Sequence, residues 1–206
     1  MRIGVISDTH LPRFGSRLPR ALMDGLRKAK VQLIVHAGDL TDLLVIDQLE
    51  TIAPVEAVAG NNDGPAVRER YPRSRLLHLG GIRLGLVHGD GKGSRTIDRA
   101  LRTFSEISEI SEISESSDVS PIVRSASSPA DDAAQAAHPH TPDGPIELIC
   151  FGHSHIPLLE RRGATLLVNP GSPTDKRTQA RYSYASIDLQ PGGIQARHHF
   201  FHDRRA

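Results

Sequence analysis

Short apolar runs and helical spacings alternate along the first hundred residues. Ile3 to Ile6 is an apolar run of strand length that stops at Ser7-Asp8-Thr9-His10. Leu11 to Ser16 carries Pro and Gly and reads as a loop. Leu18 to Ala29 then places Leu18, Ala21, Leu22 and Leu26 at helical spacing, with Pro19 tolerated near the start. Val31 to Ala37 predicts a second strand, closed by Gly38-Asp39, and Asp42 to Thr51 a helix with a face of Leu43, Leu44, Ile46 and Leu49. Val55 to Ala59 predicts a third strand running into Gly60-Asn61-Asn62-Asp63-Gly64. Arg68 to Leu79 has no regular period, but Arg75 to His78 and Ile82 to Val87 flank Gly80-Gly81 as two strands flank a turn. The second of them ends in His88-Gly89-Asp90. A helix from about Thr96 carries Ile97, Ala100, Leu101 and Phe104.

At Ser105 the pattern breaks down. Ser105 to Ser116 repeats Ser-Glu-Ile with period three, which falls short of the helical turn, so a stripe through Phe104, Ile107, Ile110 and Ile113 rotates off any one face. One more helical turn is expected, not a long packed helix. Ser114 to Gly144 is rich in Ser, Ala, Asp and Pro, the composition of a disordered insertion looped out from a surface. The apolar pattern returns at Ile146 to Phe151, ending in Gly152-His153-Ser154-His155. A hairpin follows near Pro157 to Glu160 and Thr165 to Val168, then a turn at Asn169 to Ser172. A closing antiparallel pair, Tyr182 to Leu189 and Ile194 to Phe201, flanks Pro191-Gly192-Gly193. The alternation predicts an α/β fold, one domain over 1–206 with a low-complexity interruption at about 105–144.

Composition narrows the function classes. The net charge is +1 with both signs mixed, so the chain has no basic stripe of the kind that binds nucleic acid, and aromatics at 4% leave few stacking platforms. No apolar stretch reaches the roughly 18 residues of a membrane span. The first residues do not have the form of a signal peptide, and one cysteine, Cys150, permits no internal disulfide, so a cytoplasmic location is expected. Self-association is left open.

Five of the apolar strands end in groups able to hold a cation: Asp8 and His10, Asp39, Asn61, His88, then His153 and His155. Asp8 and His10, two apart in an extended segment, are expected to point the same way. Strand ends of an α/β fold gather at one edge, where such groups converge. Two carboxylates, an amide oxygen and four imidazoles form a mixed nitrogen and oxygen set that suits Mn, Fe or Zn better than Ca.

The series Asp8-x-His10, Gly38-Asp39, Gly60-Asn61-Asn62-Asp63, His88-Gly89 and Gly152-His153-Ser154-His155 resembles the calcineurin-like metallophosphoesterases, and within them the small YfcE-type phosphodiesterases. The resemblance covers about residues 1–104 and 145–190. It implies two facing mixed β-sheets flanked by helices, an αββα sandwich with a metal site at the strand ends. It also implies two divalent ions, Mn foremost with Ni, Zn, Fe and Mg as alternatives. Asp8, His10, Asp39 and His155 would hold the first ion; Asp39 would bridge to a second completed by Asn61, His88 and His153. A metal-bridging hydroxide would hydrolyse a small phosphodiester, with Asp39, Asn61 and His88 acting through it, and activity would fall in acid as the imidazoles protonate.

Two positions depart from the pattern. Many relatives carry His after the motif Asn as general acid; here that position is Asn62, and no other general acid is evident. Asp90 stands where relatives often have His. A phosphomonoesterase, or a catalytically weak binding scaffold like the retromer subunit Vps29, is the alternative reading. Lys92 and Arg95, in the loop after His88, are the candidate substrate contacts, and that loop is expected to be flexible. Asp63 suits a turn or a partner to the ligands equally. Ser154 reads as a spacer, Asn169 to Ser172 as structural, and His138, His140, His198, His199 and His202 as solvent-facing.

Overall fold

The computed structural model describes residues 1–114 and 144–203. Among them are ten strands and four helices; the strands and three of the helices follow the predicted order. Sheet one holds β1 (Arg2–Ile6), β2 (Leu33–His36), β3 (Val55–Ala57), β9 (Tyr182–Gln190) and β10 (Gly193–Phe201) in the order β10-β9-β1-β2-β3. Its β1, β2 and β3 are parallel, while β9 returns antiparallel to β1 and β10 antiparallel to β9. Sheet two runs β4-β5-β6-β8-β7, from β4 (Ser74–Leu79), β5 (Ile82–Val87), β6 (Leu148–Cys150), β7 (Leu158–Arg162) and β8 (Thr165–Asn169). Here β5, β6 and β8 are parallel and the two edge strands antiparallel.

The period-two alternation of each strand sorts its side chains between two cores. Ile3 and Val5 of β1, Leu33 and Val35 of β2, Leu84 and Leu86 of β5 and Leu148 and Cys150 of β6 meet in one buried cluster between the sheets. Ile6 and Ile34 face the other way, against Leu22 and Leu26 of α1 (Arg20–Ala29) and Ile46 and Leu49 of α2 (Leu44–Glu50). On the far side Val87, Ile149 and Leu167 pack on Ile97, Ala100 and Phe104 of α4 (Thr96–Ser114). The result is the expected sandwich of two mixed sheets with helices on both outer faces.

Three elements differ from the sequence reading. A helix, α3 (Pro65–Arg70), occupies part of the stretch where no period was found. It is short and buries one residue, Val67, so it leaves almost no hydrophobic pattern; its one local signal is Pro65 at the first turn after Gly64. Second, α4 runs on to Ser114, beyond the single extra turn expected. It packs on sheet two through Ile97, Ala100 and Phe104. Third, His198 and His199 are not simply solvent-facing. The His198 Nε2 lies 2.7 Å from the Asn169 carbonyl, and His199 stacks on Tyr184 with its Nε2 2.8 Å from the Ser186 hydroxyl. Most of the 105–144 interruption, with His138 and His140, lies outside the described residues.

Candidate metal centre

All seven predicted ligands come together just beyond strand ends drawn from both sheets. The backbone brings them there by direct pairing: Asp8 N–H donates to the Gly38 carbonyl at 3.0 Å, His10 N–H to that of Asp39 at 3.0 Å, and Gly152 N–H to that of His88 at 3.1 Å. Asp8 accepts from the His153 N–H at 3.0 Å, which ties the first motif to the last across 145 residues. Two glycines make this closeness achievable. A Cβ on Gly60 would collide with the Asp39 carboxylate, and one on Gly152 with the Ser7 hydroxyl.

The ligands do not reach the site by strand geometry. β1 ends at Ile6, and Asp8, His10, Asp39, His153 and His155 all have left-handed backbone, with φ of 57°, 46°, 59°, 67° and 60°. That conformation is uncommon for residues with a side chain, and it concentrates where surrounding contacts over-determine it. The expectation that Asp8 and His10 align as alternate residues of an extended segment is therefore corrected: tight bends, fixed by those backbone pairings, turn each side chain inward.

The donor atoms form two overlapping groups, Asp8 with His10 and His155, and Asp8 with Asp39 and His88. Asp8 Oδ1 lies 3.2 Å from His155 Nε2, 3.9 Å from His10 Nε2 and 4.0 Å from His88 Nε2. Asp39 Oδ2 lies 3.2 Å from His88 Nε2 and 3.7 Å from His10 Nε2, so both carboxylates are placed between imidazoles. Asn61 Oδ1 completes the second group, 3.2 Å from His88 Nε2 and 3.0 Å from His153 Nδ1. His88 Nδ1 donates to the Ala37 carbonyl at 2.7 Å and His155 Nδ1 to that of Asp175 at 2.5 Å, which turns each Nε2 towards the cluster, where a cation could replace its proton. Asp8, His10, Asp39, His88 and His155 are buried, while Asn61 is exposed and His153 half-buried, so the site opens on the side of its second group.

The electrostatics suit a cation. Burial works to raise the Asp8 carboxyl, but the His155 and His88 imidazoles and the Ser7 hydroxyl outweigh it and hold the group below its usual range. Asp39 behaves likewise, burial being overcome by His88 and by two donors from Asn62. Two buried carboxylates kept ionised, beside the facing nitrogens of His10 and His155 only 3.3 Å apart, match divalent ions better than they match one another.

Several residues outside the ligand set build this geometry. Asp63, buried, accepts from the N–H groups of Asp39 at 2.9 Å, Thr41 at 2.6 Å and Gly60 at 2.7 Å, and so locks the loops after β2 and β3 together. Ser172 and Thr174 donate to the carbonyls of Asp8 and Thr9 at 2.8 and 2.6 Å, and Asn169 donates to that of Gly152 at 2.8 Å. Buried His36 lies beneath the site, 3.2 Å from the Thr9 hydroxyl, its pKa pushed down by burial to about 3.

Asn62 spends its amide on Asp39, donating to Oδ2 from Nδ2 at 2.6 Å and to Oδ1 from its N–H at 2.8 Å. Asp90 pairs with Arg73, which also donates to the Ala59 carbonyl at 3.2 Å and so links the loops that carry Asn61 and His88. Of the two candidate substrate contacts, Lys92 is exposed, while Arg95 forms a two-pronged ion pair with Asp98 at 3.0 and 3.2 Å. The loop between them is pinned by Arg99, which donates to the carbonyls of Gly89 at 2.8 Å and Ser94. Among the described residues no helix is long and apolar enough to cross a membrane.

Comparison with known proteins agrees with this architecture. Residues 1–192 match the model of the calcineurin-like phosphoesterase superfamily domain. A probable metallophosphoesterase of Methanothermobacter thermautotrophicus is 36% identical over 177 residues, 86% of this chain and 80% of its own. Among solved structures, Chaetomium thermophilum Vps29 superposes with a TM-score of 0.66 at 19% identity, covering 98% of this chain and 97% of its own. An archaeal phosphodiesterase gives 0.62 at 18%, covering 98% and 100%. The family implies divalent metal ions, and the donor cluster at the strand ends supplies the groups to hold them. The chain belongs to the calcineurin-like phosphoesterase superfamily.

Proposed function

We propose that the protein is a two-ion phosphodiesterase, with manganese as its metal and nickel, zinc, iron and magnesium as competitors, acting on a small phosphodiester in the cytoplasm. The observation that carries the reading is the pair of donor groups sharing Asp8. On this reading Asp8, His10, Asp39 and His155 would hold the inner ion, and Asp39, Asn61, His88 and His153 the outer one. Divalent ions at such a pair of sites supply Lewis acidity to a phosphoryl oxygen and lower the pKa of a water. The chain contributes the orientation: two imidazoles fixed through Nδ1, two carboxylates held ionised, and an opening beside Asn61 and His153 through which a substrate can enter.

Asn62 argues for the substrate class. Its side chain is committed to Asp39 and carries no transferable proton, so a leaving alcohol departs without acid assistance. Esters of acidic alcohols are then favoured.

The test is hydrolysis of bis-p-nitrophenyl phosphate against p-nitrophenyl phosphate by metal-stripped protein given each metal in turn. Diester cleavage should return with metal and exceed monoester cleavage, and Asp39→Asn and His88→Ala should each abolish it. A monoester preference would make the protein a phosphomonoesterase. Two ions bound per chain with no turnover would leave the binding-scaffold alternative, and near-normal activity in both variants would refute the assignment of the site.

A further inference from the structure

We infer that His36 is a positioning residue for the metal centre, holding the loop of Asp8 and His10 against the loop of Asp39 through the Thr9 hydroxyl. The inference deepens the two-ion reading and rests on it for its catalytic meaning.

His36 ends β2, in register with Ile6 of β1 and Ala57 of β3. In-register residues of neighbouring strands share a face, and Ile6 and Ala57 belong to the cluster under α1 and α2. An imidazole therefore stands among aliphatic side chains, fully buried. Burial keeps it neutral, so it carries one N–H. Its Nε2 lies 3.2 Å from Thr9 Oγ1, while Nδ1 has no hydrogen-bond partner among the described residues. The Thr9 hydroxyl donates to the Leu40 carbonyl at 3.5 Å, which assigns the imidazole proton to Nε2, donating to Oγ1. The chain of bonds runs from His36 through Thr9 to Leu40.

The two residues it joins lie at the centres of the ligand bends. Thr9 stands between Asp8 and His10, with φ of 57° and 46°. Leu40 stands between Asp39 and Thr41, with φ of 59° and 67°. Left-handed backbone is unfavourable for residues with a side chain and persists where contacts over-determine it. Backbone bonds from Asp8 to Gly38 and from His10 to Asp39 join the two loops, and Thr174 donates to the Thr9 carbonyl at 2.6 Å. The His36 chain adds a side-chain tie from the core side.

A side chain present for packing alone would be better aliphatic here, since an imidazole leaves Nδ1 unmet in the core. That difference makes the two roles separable. Thr9→Val combined with His36→Leu replaces both partners by apolar groups of similar size, a change that can leave stability intact or improve it. It removes the tie to Leu40 all the same.

The experiment is titration of metal-stripped protein with cobalt(II), read by its visible absorption bands, beside urea unfolding of the metal-free protein. His36→Leu and Thr9→Val should each bind cobalt about 10- to 100-fold more weakly than wild type, the usual penalty for losing a group that orients ligands. The double variant should bind no more weakly than either single one, because all three break the same chain, and its urea midpoint should equal or exceed that of wild type. Thr9→Ser keeps the hydroxyl and should bind cobalt as wild type does, with the same spectrum. Additive losses in the double variant, or equal losses in Thr9→Ser and Thr9→Val, would overturn the proposal. Losses that follow the urea midpoint across the variants would also overturn it and reduce His36 to a packing residue. Wild-type affinity in every variant would overturn this proposal alone, whereas wild-type protein that takes up no cobalt would sink the two-ion reading with it.

Discussion

At His88 two effects oppose each other. Burial works against a charged imidazole, but the hydrogen bond to Asp39 and the negative charges of Asp8 and Asp39 prevail, and the pKa is raised to about 9. Metal-free protein should therefore hold a proton on His88 near neutral pH, one that an incoming cation would displace. Metal uptake near pH 7.5 should release protons, and apparent affinity should climb towards pH 9 by about tenfold per unit for each proton displaced. Calorimetry in buffers of different ionisation enthalpy reads both; uptake without proton release would contradict the assignment of His88 as a ligand. The sign for stability follows from the same shift. A histidine raised above its unfolded value of 6.5 contributes fully below that pH, and the contribution disappears as pH rises through about 9, so His88 should help metal-free protein less in alkali. Neutral His36, pushed down to about 3, works the other way and costs stability as pH falls below 6.5.

At the scale of elements the site depends on loops tied to one another more than on the strands that precede them. Asp63 is the main tie, because one carboxylate satisfies N–H groups in the loops after both β2 and β3. Asp63→Ala would leave three donors without that acceptor, at a cost of about 3 kcal/mol or more. It should also weaken metal binding by roughly 10- to 100-fold, the usual penalty for losing a group that orients the ligands. Urea unfolding and metal titration of the same variant separate these effects. Lost stability with unchanged metal affinity would reduce Asp63 to a turn former, one of the two roles its sequence position suggests. Local sequence could not choose between them, because the decisive partners, Asp39 and Thr41, lie more than 20 residues away.

At the scale of the whole molecule the αββα sandwich collects ligands from two sheets into one cluster, and it does so with residues outside the 105–144 interruption. None of the seven predicted ligands lies there. α4 packs on sheet two through Ile97, Ala100 and Phe104, whose ring fills the space above Gly85 that a Cβ would take. Replacing residues 115–143 by a Gly-Ser linker of comparable reach should leave turnover of a small diester within about twofold, since linker composition chiefly changes flexibility and reach. Loss of metal binding in that variant, measured by stoichiometry, would show that the segment takes part in the site.

The sequence by itself determined the α/β alternation, the two closing β pairs and the full set of polar strand-end groups. Those features are written in periods of two and 3.6 residues and in short motifs such as Gly38-Asp39 and Gly152-His153, which survive without knowledge of the fold. Boundaries moved by a few residues, and α3 was missed because one buried side chain makes no period. What only the tertiary structure decided was how the ligands are aimed and what holds them. The left-handed bends at Asp8, His10, Asp39, His153 and His155 are not set by propensity alone: Asp8, His10 and Asp39 are tied by backbone hydrogen bonds, and His153 by its N–H to the Asp8 carboxylate, between segments remote in sequence. The same is true of Asp8 being shared between the two donor groups, of Arg73 bridging two loops, and of Phe14 lying against His10. Periodicity records which face a residue turns to the core; the direction of a side chain beyond the end of a strand is set by what the rest of the chain brings up against it.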